Sequence, residues 1–330
     1  MKKGNWIVFV FIGISAVLFI SGVFKKISHL KRSYIGEKVI AVIPKGTASM
    51  WWEVVHSGAN KAGEEFGYSI SWIGPEQETD REKQIQVVED AIVTKAMAIV
   101  LAPNDQKALV RPVLKIKEAG IPCVIIDSSV DVNSVDYVSF VATDNFLAGG
   151  DAARCLGAAL NNQGNVILTK FVQNSASTDA RAEGFKRTLE KEFPNIKIID
   201  EQYTTSGTVE DARQKTLDML VRNKNVVGVF AVNQPSSVGA YKALQAQGST
   251  GKIKMVGFDS DPILLEGIAE GGVEALVVQN PFEIGYQGVK AAVFAIDGKT
   301  VPKTMPIPSM IINKNNLEQM KKEYPAALGL

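Results

Sequence analysis

Five buried-strand patterns in this chain each end at a polar residue, and this feature constrains the fold most. Each pattern is a near-continuous apolar run, typical of a strand in a parallel sheet that is covered on both faces. Taken singly, each polar residue could equally start a turn or cap a helix. Ligands of open α/β sheets bind beyond the carboxyl ends of the strands, so together they predict a cleft for a small, uncharged, hydroxyl-rich ligand. The five residues are Asn104, Asp127, Asn233, Asp259 and Gln279.

Strand patterns alternate with helix patterns from Glu37 onward, which predicts right-handed βαβ units and parallel sheets. The segments that lead to Asp127 and to Asp259 share one layout. Each has a strand, a polar turn, a helix closed by Gly120 or Gly248, and a second strand that ends in Asp-Ser. The sequence therefore predicts an α/β fold with two doubly wound, Rossmann-like domains that face each other across the cleft.

The domain boundaries follow from where the pattern changes sheets. We expect an N-terminal domain formed by residues 37–142 and 280–303. Residues 143–279 and 304–330 are expected to form the C-terminal domain. Residues 1–36 precede both domains.

Composition excludes several classes of function. The net charge is +1, and no block of Lys and Arg interleaved with aromatic residues occurs in the folded part, so nucleic acid is not an expected partner. His29 and His56 are too few for a histidine-based triad or zinc site, and Cys123 and Cys155 have no metal-ligand spacing. No glycine-rich phosphate loop follows a strand. We therefore expect no catalytic residues, no metal ion and no cofactor.

The N-terminus carries an apolar segment from Trp6 to Phe24, preceded by two lysines. Its length, about 18 residues, is close to the minimum for a membrane-spanning helix. A cleaved signal peptide is the alternative, but no small-residue cleavage site and no lipoprotein cysteine follow the segment. We favour an uncleaved anchor on the extracytoplasmic face, although the positive charges at residues 25–32 oppose that orientation.

Three motifs carry a resemblance to a known family. They are VGFD at Val256–Asp259, VVQNPFEIG at Val277–Gly285 and DARAEGF at Asp179–Phe185. With them, the chain from about residue 38 to 314 resembles the periplasmic sugar-binding proteins of the ribose-binding type, whose core is related to that of the lac repressor. The resemblance implies type I periplasmic binding protein architecture, with two domains joined by a three-strand hinge that closes on a monosaccharide.

The resemblance also implies which side chains contact the sugar. The paired aromatics at the start of the first helix match Trp51 and Trp52, and the family arginine matches Arg181. The matching strand-end residues are Asp127, Asn233, Asp259 and Gln279.

The chain departs from the family pattern at three positions. Ser128 stands where the family has an arginine, and a glycine near Gly207 stands where it has an aromatic residue. The asparagine of the third strand falls on Ala102, with Asn104 two residues later. The expected role is unchanged, but the sequence does not define the sugar.

Elementary geometry assigns roles to these residues. Trp51 and Trp52 point about 100° apart on a helix, so we expect one in the core and the other against sugar C–H groups. The Arg181 guanidinium can bind vicinal hydroxyls while a nearby aspartate balances its charge. The carboxylates interpreted as helix-start or solvated groups, without a role, are Glu53, Glu78 and Asp80.

Two classes of function remain to be compared. A non-enzymatic, extracytoplasmic monosaccharide-binding protein is favoured, for a pentose such as xylose or ribose, with either an ABC permease or a membrane sensor histidine kinase as partner. The VIPK and WIGP segments are also similar to autoinducer-2 receptors, so another small polyol is an alternative ligand. A sugar-responsive transcription factor would need an N-terminal helix-turn-helix, where this chain has the apolar segment.

Overall fold

Two six-stranded sheets form the framework of the computed structural model, which describes residues 38–328. The first sheet has the order β11-β5-β4-β3-β1-β2, and all of its pairings are parallel. Its strands are β1 (Val39–Ile43), β2 (Ser69–Trp72), β3 (Ala98–Leu101), β4 (Cys123–Ile126), β5 (Ser139–Ala142) and β11 (Thr304–Pro306).

The second sheet has the order β12-β10-β9-β8-β6-β7. Only the β10–β12 pairing is antiparallel among the pairings of this sheet. Its strands are β6 (Gly164–Lys170), β7 (Ile196–Tyr203), β8 (Val226–Ala231), β9 (Lys254–Phe258), β10 (Ala275–Val278) and β12 (Met310–Asn313). The predicted class, two α/β domains with parallel-dominated sheets, is confirmed.

Helices cover both faces of each sheet, and apolar clusters fill the space on the two sides. A short 3₁₀ turn lies at Ser134–Asp136. The α-helices are α1 (Met50–Phe66), α2 (Arg81–Val93), α3 (Val110–Glu118), α4 (Asn145–Ala159), α5 (Ala176–Glu192), α6 (Val209–Arg222), α7 (Gln234–Ala246), α8 (Pro262–Glu270), α9 (Pro281–Ile296), α10 (Leu317–Glu323) and α11 (Pro325–Leu328).

The chain passes between the two sheets three times. It leaves the first sheet after β5, returns after β10 through Gln279 and Asn280, and leaves again between β11 and β12. The predicted boundary between residues 303 and 304 is wrong by three residues, because β11 pairs in parallel with β5 of the first sheet. The third crossing therefore follows Pro306, the last residue of β11.

The predicted equivalence of Asp127 and Asp259 extends to the backbone. Asp127 follows β4, which lies beside β5, and Asp259 follows β9, which lies beside β10; the chain crosses to the other sheet after β5 and after β10. Both residues adopt left-handed conformations, with φ of 60° and 61°. The Asp127 N–H donates to the Val141 carbonyl, and the Asp259 N–H donates to the Val277 carbonyl. Aspartate tolerates this conformation better than most residues do, so both strands end with the carboxyl group turned out of the sheet.

Helices α4 and α5 approach so closely that only glycine fits at their crossing. A Cβ atom at Gly149 of α4 would lie 2.1 Å from the carbonyl oxygen of Arg181 on α5. A Cβ atom at Gly184 of α5 would lie 2.0 Å from the carbonyl oxygen of Phe146 on α4. These reciprocal contacts fix the position of one helix on the other.

The first domain repeats this packing between α1 and α9. Cβ atoms at Gly58 and Gly285 would each lie 2.0 Å from a carbonyl oxygen of the opposite helix. In both domains the helix that follows a crossing, α4 or α9, therefore packs by glycine contacts on a helix with predicted sugar-contacting residues, α5 or α1.

Within residues 38–328, no helix is both long enough and apolar enough to cross a membrane. The predicted anchor, Trp6–Phe24, and the rest of residues 1–37 lie outside the described part of the chain.

Candidate functional site: a polar cleft between the two domains

A cavity of about 350 Å³ lies between the carboxyl ends of the two sheets. Seven of the eight predicted site residues line it, and they come from both domains. They are Trp51, Trp52, Asp127, Arg181, Asn233, Asp259 and Gln279.

A buried ion pair forms the wall of the first domain. The Lys45 ammonium lies 2.6 Å from Asp127 Oδ2, and both side chains are almost fully buried. Lys45 also donates a 2.9 Å hydrogen bond to Ser177 Oγ on α5, across the cleft. The Ser128 hydroxyl accepts a bond from the Ser177 backbone N–H, so the serine that replaces the family arginine joins the domains as well.

Sequence reasoning missed Lys45, although a signal was present. It follows β1 by two residues, so it lies at the carboxyl end of a buried strand, as the predicted site residues do. A lysine in that position is usually interpreted as solvated, because Lys is almost never fully buried without a partner. The partner, Asp127, is 82 residues away in the chain and is adjacent only in the fold.

A second charge pair forms the wall of the second domain. Arg181 Nη1 lies 3.7 Å from Asp259 Oδ2 and donates a 3.0 Å hydrogen bond to the Val232 carbonyl. Its guanidinium lies 3.8 Å from the centre of the Phe258 ring. Gln279 Nε2 donates to Asp259 Oδ1 at 3.0 Å, and the Gln279 Oε1 atom has no hydrogen-bond partner in the described residues.

Burial perturbs the ionisation of this pair. Burial raises the pKa of Asp259, and the Arg181 charge and the Gln279 amide act in the opposite direction. Burial lowers the pKa of Arg181, and Asp259, Asp127 and Glu78 oppose that effect. Since both ions lose hydration, added hydroxyl partners from a ligand would stabilise them.

The two tryptophans have different environments, as adjacent helix positions require. Trp52 is only 2% exposed and belongs to the apolar core of the first domain. Trp51 is half-buried, and its ring meets that of Trp52 edge-on, with centroids 4.6 Å apart. The Trp51 Nε1 atom has no hydrogen-bond partner in the described part of the chain. Trp51 is therefore the better placed of the two to stack on a ligand.

The interpretation of Glu78 as a solvated carboxylate is wrong. Glu78 lines the cavity, and its Oε1 accepts a 2.8 Å hydrogen bond from Trp52 Nε1. Burial raises the pKa of Glu78, while Lys45 and the Trp52 hydrogen bond oppose the rise. The other two carboxylates differ: Glu53 is exposed, and Asp80 caps α2 by accepting the Lys83 N–H. No sequence signal separated Glu78 from them.

Asn104 is not brought to the cavity, so its prediction as a lining residue is wrong. It is 3% exposed, its N–H donates to Gln84 Oε1, and its Nδ2 donates to the Asp80 carbonyl at 3.3 Å. Gln84 in turn donates to the carbonyls of Pro44 and Ala102. Asn104 thus connects the loop after β3 to the start of α2, which supports the alternative interpretation of this residue as a turn former.

Asn233 satisfies both interpretations of a strand-end polar residue. Its side chain accepts the Ser236 N–H at the start of α7, and the residue also lines the cavity.

An aromatic side chain replaces the one that is absent at Gly207. Phe171 lines the same cavity and directly follows β6. A Cβ atom at Gly207, which has φ of 70°, would lie 2.8 Å from the Phe171 ring. The glycine therefore makes room for the Phe171 ring, which lies at the wall of the cavity but is only 3% exposed.

The family model for a periplasmic binding protein domain matches residues 40–300 of this chain. The chain therefore belongs to the periplasmic binding protein family, which consists of solute-binding proteins without enzymatic activity. No groups of His, Cys, Asp or Glu that could hold a metal ion occur in the described residues.

Relatives and solved structures agree with this assignment. The chain is 28% identical over 269 residues to the D-allose-binding periplasmic protein of Escherichia coli K12, covering 79% of this chain and 86% of that protein. It is 24% identical over 284 residues to a ribose import binding protein of Salmonella typhimurium, covering 85% and 92%. A solute-binding protein of Agrobacterium radiobacter in complex with D-arabinose has a TM-score of 0.82 and 32% identity, covering 87% and 98%. One from Agrobacterium vitis with bound D-fucose has a TM-score of 0.82 and 32% identity, covering 88% and 99%.

Proposed function

We propose that this protein is an extracytoplasmic receptor that closes on a neutral monosaccharide. The observation that carries the proposal is the cleft itself, in which two buried ion pairs, Lys45–Asp127 and Arg181–Asp259, face each other beside Trp51. Because each charged group already has a counterion, no charge on the ligand is needed to balance it. The paired groups can therefore form hydrogen bonds with the hydroxyls of a neutral ligand. Membership of the family supports the extracytoplasmic location.

The size of the cleft supports a single sugar ring. A cavity of about 350 Å³ is at the lower end of the range for small-molecule sites, roughly 300–1,000 Å³. The half-buried Trp51 can contact the C–H groups of the ring while the ion pairs bind its edge. We propose a pentose such as xylose or ribose as the first candidate. Relatives named for D-allose, ribose, D-arabinose and D-fucose support the monosaccharide class.

A transport role and a sensory role would require different partner proteins in the membrane. Relatives named import binding proteins, and solved neighbours named for ABC transporters, support delivery of the sugar to an ABC permease. The apolar segment Trp6–Phe24 supports a fixed position at the membrane, which favours a sensory role with a histidine kinase. We propose the anchored, sensory form as the second candidate, and co-purification from membranes with and without sugar distinguishes the two partners.

A thermal-shift screen of the purified chain tests the proposed function. Ribose, xylose, arabinose, allose, fucose and glucose are added separately, because a ligand that binds only the folded state raises its stability by RT ln(1 + [L]/Kd). The preferred sugar is then titrated by calorimetry. Unchanged melting temperatures with all six sugars would refute the monosaccharide proposal.

Site variants test the location. Asp259→Ala should weaken binding by more than about tenfold, because truncation leaves the buried Arg181 charge without its counterion and the Gln279 amide without its acceptor in a closed cleft. Glu190→Ala, an exposed carboxylate on α5, is the matched control and should leave affinity unchanged. Equal affinities for both variants would show that sugar binds elsewhere.

A further inference from the structure

A single buried amide connects the interdomain crossing to both walls of the cleft. Asn145 is the first residue of α4, directly after the first crossing, and is only 7% exposed. Its Oδ1 accepts a 2.8 Å hydrogen bond from Arg181 Nε in the second domain. Its Nδ2 donates to the Thr143 carbonyl at 3.1 Å, within the crossing, and to the Asp127 carbonyl at 3.4 Å in the first domain.

These partners determine the residue type and its orientation. The arginine Nε–H can only donate, and backbone carbonyls can only accept, so the position needs an acceptor and a two-proton donor on one short side chain. Asparagine provides both, whereas aspartate loses the donor and leucine loses both functions. Capping does not explain Asn145, because Asp144 caps α4 by accepting the Leu147 N–H.

The packing of α4 on α5 allows the hydrogen bond between Asn145 and Arg181 to control the direction of the arginine side chain. The glycine crossing between α4 and α5 fixes the Arg181 backbone relative to α4. With both backbones fixed, the bond that Arg181 Nε donates to Asn145 Oδ1 acts together with the Nη1 bond to the Val232 carbonyl. These bonds direct the guanidinium over the Phe258 ring and towards Asp259. A change of backbone angles at the crossing moves the Thr143 carbonyl relative to the Asp127 carbonyl, and the Asn145 amide is bonded to both.

We propose that Asn145 is a positioning residue that directs the Arg181 guanidinium into the cleft and couples its direction to the interdomain crossing. The inference deepens the proposed function and rests on it, because Arg181 is one of the groups that we propose to contact the sugar. Asn145 is hydrogen-bonded to Arg181, to the crossing and to the first domain at the same time. Closure of the domains would therefore also place the Arg181 guanidinium in the position required for binding.

A double-mutant cycle distinguishes positioning from a merely structural role. Sugar affinity of the full-length chain in detergent is measured for Asn145→Ala, Arg181→Ala and the double variant. We expect Asn145→Ala to weaken binding about tenfold, or about 1.4 kcal/mol, and Arg181→Ala to weaken it more. In the Arg181→Ala background, Asn145→Ala should have almost no further effect, because the group that it directs is gone. Additive losses would overturn the proposal.

A matched control and a ligand-free measurement complete the experiment. Leu147→Ala, at an exposed position of the same helix, should leave affinity unchanged. Crystal structures of the wild type and Asn145→Ala are compared without sugar, where we expect the guanidinium to leave its place over Phe258. A guanidinium that stays in place in Asn145→Ala would overturn the proposal even if no sugar bound. Absence of sugar binding by the wild type, with the guanidinium displaced in the variant, would refute only the proposed function.

Discussion

Replacement of Lys45 by methionine should destabilise the protein strongly, because it leaves a buried carboxylate alone. Lys45 and Asp127 are each 3% exposed, and their charged atoms lie 2.6 Å apart. Methionine nearly preserves the length of the lysine side chain, so the change removes the charge with little loss of volume. Removal of one partner from a buried ion pair costs about 3–5 kcal/mol. The loss of the bond to Ser177 also weakens contact between the domains.

Thermal unfolding followed by tryptophan fluorescence measures this cost. For domains of this size, each kcal/mol lowers Tm by about 2–4 °C, so Lys45→Met should lower Tm by roughly 6–20 °C. Lys61→Met, at an exposed position on α1, is the matched control and should leave Tm unchanged.

A second substitution should recover most of the loss. Asp127→Asn in the Lys45→Met background removes the stranded charge, and asparagine tolerates the left-handed backbone at this position. The double variant should therefore melt well above Lys45→Met. If Lys45→Met melts with the wild type, or if the double variant melts no higher than the single one, the unpaired charge is not the source of the cost.

Three further predictions follow from the site and its supports. Glu78→Gln should raise Tm at neutral pH. Burial raises the Glu78 pKa, so its contribution to stability is complete below its ordinary value of 4.5 and is lost as the pH rises through the raised value. A Tm gain that does not shrink towards acid pH would contradict this. Gly149→Ala should destabilise by about 1–3 kcal/mol in denaturant titrations and weaken sugar binding, because its Cβ meets the Arg181 carbonyl. If Gly149→Ala is as stable as the wild type, the close crossing of α4 and α5 is refuted. Asn104→Ala should leave calorimetric affinity within about twofold of the wild type, whereas Asn233→Ala should weaken binding more than tenfold. The reverse order would restore Asn104 to the site.

The strand-end pattern predicted most of the cleft because its physical basis is local. A buried strand must be apolar, and the first polar residue after it marks the carboxyl edge, so Asp127, Asn233, Asp259 and Gln279 were found from the sequence. The same rule failed at Asn104, because the loop after β3 turns the side chain towards the start of α2. Strand-end position predicts which edge a residue occupies, but the following loop decides where its side chain points.

Contacts between residues distant in the chain explain what the sequence did not show. Lys45 was missed, and Glu78 was grouped with solvated carboxylates, because their partners, Asp127 and Trp52, are adjacent to them only in the fold. The role of Phe171 depended on the space that Gly207 leaves for its ring. The third crossing fell three residues later than expected, because strand pairing with β5 continues through Pro306.

The sequence by itself determined the two α/β domains, the parallel sheets and the equivalence of Asp127 and Asp259, because apolar periodicity and strand ends are properties of consecutive residues. Only the tertiary structure decided how charge is distributed in the cleft. Ion pairing and burial depend on separations of a few ångströms between side chains that are far apart in the chain. The pairing of Lys45 with Asp127 exists only once the strands of the first sheet are in place. The amide of Asn145 connects the two walls only once both domains are in place.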